Sequence, residues 1–225
     1  MDPAVSTRNK ILDAADGLFG DVGFDAASTR QIADASGVNK ALIHYHFSTK
    51  EALFGAVLDR YYERLTEVVV GALSGGGDLQ QRFGRLLDAY VDFLDQNRAF
   101  SAMVQREVAG GRQLDRIVGH MVPLFEQAAL LLQQAYPASR EGALAAPQLL
   151  MSFYGMAVTY VTYRPVIEKL MDPQADPATA IEQRKAHLRQ MLSLVMHELD
   201  PKDDRSAPGR AAPNDEPTKA GDRLT

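Results

Sequence analysis

Apolar residues recur at three- and four-residue spacings along most of the chain. They begin with Ile11, Ala15, Leu18, Phe19 and Val22 on one face of a first helix. No stretch alternates convincingly between apolar and polar positions as a half-buried strand does, so the pattern predicts an all-α fold of about nine or ten helices. Gly20 and Gly23 surround the end of the first helix. Ser28-Thr29-Arg30-Gln31 then fits a capping box in which Ser28 caps a second helix and Gln31 reaches back. That helix runs about two turns to Gly37, which can take the positive φ of a tight interhelical turn, and Asn39 suits the N-cap of a short third helix, Lys40 to Phe47. Ser48-Thr49-Lys50-Glu51 reads as a second capping box. It opens a longer fourth helix carrying Leu53, Phe54, Val57, Leu58, Tyr61, Leu65 and Val68, so that four helices precede Gly71.

The run Ser74-Gly75-Gly76-Gly77 separates this helix from the next, and helices resume at Asp78. Leu79, Phe83, Leu86, Leu87, Tyr90 and Leu94 mark one; Phe100 to Val108 form a shorter one; Leu114 to Tyr136 form another that Pro123 is expected to kink. Pro147 sits at the first turn of a strongly apolar helix reaching Tyr163. Asp176-Pro177 opens the last helix, which carries Ile181, Leu188, Leu192, Val195 and Leu199. From Pro201 onward, prolines, charges and small residues leave Leu224 as the only large apolar side chain, so a disordered tail is expected over 201–225.

Composition narrows the class. With 225 residues and 46% hydrophobic content, the chain can bury a substantial core, or a small domain joined to a larger one. The formal charge of −5 excludes a globally basic protein held on nucleic acid by bulk attraction, so any such site must be local. The absence of cysteine removes disulfides, thiolate zinc sites and thiol nucleophiles, and suits a reducing compartment. The start, Met1-Asp2-Pro3-Ala4-Val5-Ser6, has neither the basic residues nor the apolar run of a signal peptide. The most apolar segment, Leu149 to Val161, is shorter than the roughly 20 residues a membrane span needs. A cytoplasmic protein without membrane contact is expected.

The chemistry is concentrated between Ser28 and Lys50, two short helices joined at Gly37 and followed by a capped third. A helix that enters the major groove of DNA must be braced by a second helix while its outer face stays free. Here small Ala33 permits a close crossing, and Ile32, Val38 and Ile43 supply a miniature core. Arg30, Asn39 and Lys40 can donate to base edges or phosphates, and the Ala41 methyl allows close approach and contact with a thymine methyl. Between Ala26 and Lys50, Arg30, Lys40 and Lys50 face the single acid Asp34, a local charge of +2 within a negative chain.

These residues resemble the TetR family of helix-turn-helix transcription regulators. The shared pattern is Thr29, Ile32-Ala33, Gly37-Val38, the closing Tyr45-His46-Phe47, then Lys50 and Leu53, and the resemblance covers about Thr7 to Leu65. It implies that Thr29 and Lys50 touch phosphates, that Arg30 reaches a base from the second helix, and that Asn39, Lys40, Ala41 and Tyr45 face the groove. His44 stands where the family usually has a phosphate-contacting tyrosine, which makes that contact weaker, pH-dependent or shifted onto Tyr45. His46 and Phe47 are expected to brace the fourth helix instead of meeting DNA. The resemblance further implies a DNA-binding domain at 7–65, with its helix-turn-helix at 28–47, joined by the long fourth helix to a helical effector-binding and dimerisation domain at 66–200. The last two long helices, roughly Ala146 to Tyr163 and Pro177 to Leu199, would form a four-helix bundle across a two-fold axis.

The expected function is a ligand-responsive regulator: a homodimer that binds a pseudo-palindromic double-stranded DNA operator as a repressor and is released by a small, largely apolar effector. Met103, Arg106, Phe125, Met151, Tyr154 and Tyr160 are candidates for the effector pocket, since thioethers and amphipathic rings suit apolar ligands bearing one or two polar groups. Core or dimer packing is the competing assignment for each. No nucleophile–base pair, phosphate-binding glycine loop or metal-ligand spacing is evident, so neither catalysis nor a metal or other cofactor is expected. His187 and His197 are ten residues apart, and Glu198 adjoining His197 faces another direction on a helix. An architectural DNA protein is the alternative binding class; it would need no pocket and would hold many sequences with similar affinity.

Overall fold

The computed structural model describes residues 3–171 and 176–200. Among these, ten α-helices account for almost the whole chain: α1 (Pro3–Ala26), α2 (Thr29–Ser36), α3 (Lys40–Phe47), α4 (Lys50–Ser74), α5 (Leu79–Gln96), α6 (Arg98–Gly110), α7 (Leu114–Ala135), α8 (Ala146–Thr162), α9 (Arg164–Met171) and α10 (Pro177–Leu199). A single 3-10 turn, Pro137–Arg140, follows α7. No strand is present among the described residues, and the expected tail at 201–225 lies outside them.

Local chemistry explains most helix ends. In α1, Gly23 takes φ 81° and ψ 172°, a backbone state open to glycine alone, and breaks the regular helix there. Ser28 and Gln31 form the expected capping box of α2, and Gly37 closes that helix at φ 68°. Asn39 caps α3 by accepting from Ala41 N. The start of α4 differs from the expectation. Ser48 takes φ 51° and its N–H closes α3 on His44 O, so it cannot hold the extended conformation of an N-cap. Thr49 takes that place instead, accepting from Ala52 N. Asp78 and Gln81 box the start of α5, and Asp176 caps α10 through Thr179 N.

One further boundary shifts, and one helix is added. Helix α4 continues through Gly71 to Ser74, because Val68, Val69 and Leu73 still pack on the core there and outweigh the propensity cost of one glycine. Helix α7 is continuous across Pro123. The short α9 was not anticipated.

Helices α1 to α3 gather on the first half of α4. Ile11, Leu12, Ala15 and Phe19 of α1, Ile32 and Ala33 of α2, Ile43 and Phe47 of α3, and Leu53, Phe54, Val57 and Leu58 of α4 are buried together. Phe19 and Phe54 meet edge-to-face with centroids 4.9 Å apart. A polar clamp reinforces the α1–α4 contact: Tyr61 Oη donates to the Asp16 carboxylate over 2.8 Å, and Arg60 pairs with the same carboxylate at 3.2 Å. The remaining helices enclose a second region of core. There, α10 is tied to α5 by Lys185 on Asp92 and Arg189 on Asp88, each residue pair one helical turn apart. The two regions share α4.

Candidate nucleic-acid interface

The inner faces of α2 and α3 are fixed by burial. Ile32 is fully buried and Ile43 is 2% exposed, while Ala33 allows close approach and Val38 is half-buried at the turn. Phe47 is buried and His46 half-buried, as expected of residues that brace α4. Spending the apolar side chains inward leaves the other face of α3 in solvent. Lys40, Ala41, His44 and Tyr45 are all exposed, Tyr45 to 80%. A tyrosine left so open on a helix eight residues long gains nothing from core packing, and its ring and hydroxyl are both available to a partner.

Each candidate contact residue has a definite place. Thr29, half-buried, is the first residue of α2, and Arg30 beside it is exposed. Asn39 divides its side chain: Oδ1 is occupied by Ala41 N at 3.0 Å, which leaves the Nδ2 group to donate outward. His44 Nδ1 lies 3.2 Å from Ser48 O; with the proton on Nδ1 it donates there, and the ring is held along the helix end. Lys50 is placed differently from the other seven. Its Nζ donates to Phe24 O at 2.9 Å and Ala27 O at 3.0 Å and lies 4.2 Å from the centre of the Phe24 ring. These carbonyls belong to the interrupted end of α1, so the ammonium supports the approach to α2.

Two features of this surface were not singled out from sequence. Leu42 is 41% exposed on α3, adding an apolar contact beside Ala41. Arg8 of α1 is exposed and holds its guanidinium 5.2 Å from the centre of the Phe47 ring, bringing a cation next to the end of α3. Helical periodicity indicates which face of a helix is polar, but it does not show that two helices far apart in sequence end side by side.

The helical body contains an apolar cavity enclosing about 760 Å³ of space, counting its solvent-open mouth, between α4, α5, α7, α8 and α10. Of the six pocket candidates, Phe125 and Tyr154 line it, and their rings meet edge-to-face at 5.6 Å. The other four do not join them. Met103 is buried and, with Arg106, lines a separate cleft against Phe19 and Phe54; Arg106 donates to Phe19 O and Gly20 O, each at 3.3 Å. Tyr160 donates to Ala180 O at 3.1 Å beneath the Arg184 guanidinium. Met151 is 57% exposed on the outside of α8. Residues the sequence did not single out for the cavity, among them Leu65, Phe83 and Leu87, build its wall; their spacing is that of any core position.

Charged side chains pair near this region without entering it. Asp59 of α4 meets Arg116 and His120 of α7, with His120 Nε2 2.9 Å from Asp59 Oδ1. Partial burial works against the Asp59 anion, but the hydrogen bonds and charges of His120 and Arg116 prevail and hold its carboxyl below its ordinary value. Among the described residues, no cluster of three His, Asp or Glu side chains could hold a metal ion. No described helix is long and apolar enough to cross a membrane.

Comparison with known proteins agrees with this geometry. The family model described as "Bacterial regulatory proteins, tetR family" matches residues 11–57, the segment that forms most of α1, all of α2 and α3, and the start of α4. The transcriptional activator FasR of Mycolicibacterium smegmatis is 37% identical over 95 residues, covering 42% of this chain and 43% of FasR. The transcriptional repressor KstR2 of Rhodococcus jostii is 28% identical over 101 residues, covering 45% of this chain and 50% of KstR2. The chain thus spans about half the length of these curated relatives. Similarity of fold extends further: the fatty acid degradation regulator FadR from Bacillus halodurans superimposes with a TM-score of 0.63 at 17% identity, over 84% of this chain and 96% of FadR. Residues 11–57 thus match the family model of tetR-type bacterial regulatory proteins, and the all-helical architecture around them is a fold shared with a solved regulator.

Proposed function

We propose that the chain is a ligand-responsive transcription regulator that binds a pseudo-palindromic operator as a homodimer and acts as a repressor released by a small, largely apolar effector. The observation that carries this is the exposed outer face of α3, with Tyr45 in solvent above a buried inner face, on a fold whose α4 also forms a wall of a separate apolar cavity. Residues 7–65 are the reading domain and 66–200 the effector and dimerisation domain, working in the cytoplasm. Arg30, Lys40, Ala41, Tyr45 and the free amide of Asn39 face the DNA, with Thr29 and His44 at its edges. Lys50 acts chiefly by fixing α1 against α2, as its two carbonyl contacts support.

The dimer is built on α8 and α10, where Met151 and Leu194 are 57% and 55% exposed and would be covered by a partner copy. Release follows if the effector binds the DNA-incompetent arrangement more tightly than the competent one, since only such differential affinity moves the equilibrium. Selection of genomic fragments by the purified chain tests the reading: recurrence of one palindrome is expected, and failure to enrich any sequence would overturn it. FasR carries the name of an activator, which favours activation as a second reading. Deleting the gene and measuring transcripts beside the recovered operator separates the two, with a rise for a repressor and a fall for an activator.

A further inference from the structure

The apolar cavity has one polar end. Among the described residues, no charged side chain lines the cavity. Four of its residues, Leu65, Tyr90, Met121 and Tyr154, are shared with a much smaller adjoining hollow that is also bounded by Tyr62 of α4 and Ser101 of α6. Tyr62 is 1% exposed and Ser101 8%, yet Tyr62 Oη and Ser101 Oγ have no hydrogen-bond partner among the described residues. Buried hydroxyls are rarely left unpaired. Two of them beside the same cavity mark a place where a ligand supplies the missing partner.

The charge of that ligand follows from the walls. Among the described residues, Tyr62, Tyr90 and Tyr154 are the only titratable side chains lining the two spaces, and burial drives all three hydroxyls above their ordinary values, so they stay neutral at physiological pH. Behind Tyr62, His120 stacks on its ring at 4.7 Å, but the imidazole is engaged by Asp59, which in turn holds Arg116. An ionised head group would therefore give up its hydration and meet no counter-charge.

We infer that the cavity takes an uncharged amphiphile: an alkyl chain packed among Phe83, Leu87 and Phe153, and a neutral hydrogen-bonding head, such as a hydroxyl, ketone or ester, placed against Tyr62 and Ser101. This deepens, and rests on, the reading of the helical body as an effector domain. It also suggests how occupancy reaches the DNA-binding end, since Tyr62 stands about 18 Å along α4 from Lys50, the residue that holds the end of α1.

The test uses the full chain and displacement of a neutral fluorescent lipophile, 1-aminoanthracene, by 1-decanol, decanoate and octane. At pH 8, 1-decanol is expected to displace the probe at least about tenfold more effectively than decanoate. Lowering the pH from 8 to 6 should improve decanoate by about tenfold per unit, because only its protonated form enters, and leave 1-decanol unchanged. Tyr62→Phe and Ser101→Ala should each weaken 1-decanol by roughly three- to tenfold, while octane, which has no head, displaces as from the unaltered chain and reports that the cavity is intact. Equal displacement by decanoate and 1-decanol at pH 8 would overturn the inference, as would full retention of 1-decanol binding by both variants. The charge comparison on the unaltered chain stands even if a variant fails to fold. Selective DNA binding without uptake of 1-decanol rejects this inference alone; uptake without selective DNA binding rejects the regulatory reading alone.

Discussion

Two lysines ten residues apart in one motif have different surroundings and, from them, different work. Lys40 opens α3 in full solvent, whereas Lys50 is folded back onto the carbonyls of Phe24 and Ala27. Replacing Lys40 with alanine should weaken operator binding by about 1 to 3 kcal/mol if it reads a base. If it touches phosphate, binding to all sequences should weaken alike and the salt dependence should fall by about one unit of slope; fluorescence anisotropy over a salt series distinguishes the two. Lys50→Met should instead lower folding stability by about 1 to 3 kcal/mol in a denaturant titration, because it strands two carbonyls, and should leave the salt slope near that of the unaltered chain. Asp59 supplies a pH test. Its carboxyl is held low by His120 and Arg116 despite partial burial, so its stabilising contribution is complete above the unfolded value near 4 and is lost as the pH falls through the lower folded value. Asp59→Asn should therefore be less stable than the unaltered chain at pH 7, with the difference closing below about pH 4 in thermal melts.

At the scale of the helices, sequence carries the caps well and the tertiary contacts poorly. Ser28, Gly37, Asn39 and Asp176 could be recognised because each acts on backbone within a few residues of itself. The Ser48–Thr49 boundary was displaced by one residue because either hydroxyl satisfies the same local rule, and only the closure of α3 decides between them. The partners of Lys50, 23 and 26 residues away, leave no trace in a local pattern. The packing of α1 on α6 was equally hidden: a methyl group added at Gly20 would lie 2.7 Å from Ala99 Cβ. Gly20→Ala should accordingly cost about 1 to 3 kcal/mol by overpacking. Combining it with Ala99→Gly should recover part of that loss, and a double-mutant cycle in urea measures the coupling.

For the whole molecule, helical spacing is enough to read the all-α class, while the caps, the turn glycine and the family resemblance locate the helix-turn-helix; burial in the miniature core and exposure of α3 both follow from residue type. The cavity was not legible in the same way. Phe125 and Tyr154 reach it, while Met151 on the same helix as Tyr154 points to the outside and Tyr160 bonds to α10, since the rotation of each helix against its neighbours decides which aromatic or thioether meets the lumen. The exposure of Met151 and Leu194 makes the proposed assembly testable: Met151→Asp combined with Leu194→Asp should convert the proposed dimer to monomer in sedimentation velocity, and a half-sized operator footprint should follow.

The most direct measurement is the affinity of the purified chain for its selected operator and for an unrelated duplex of equal length at one physiological salt concentration. Sequence reading by the exposed face of α3 predicts a preference of about a thousandfold or more, strongly reduced in Tyr45→Ala; equal affinity for the two duplexes would contradict it.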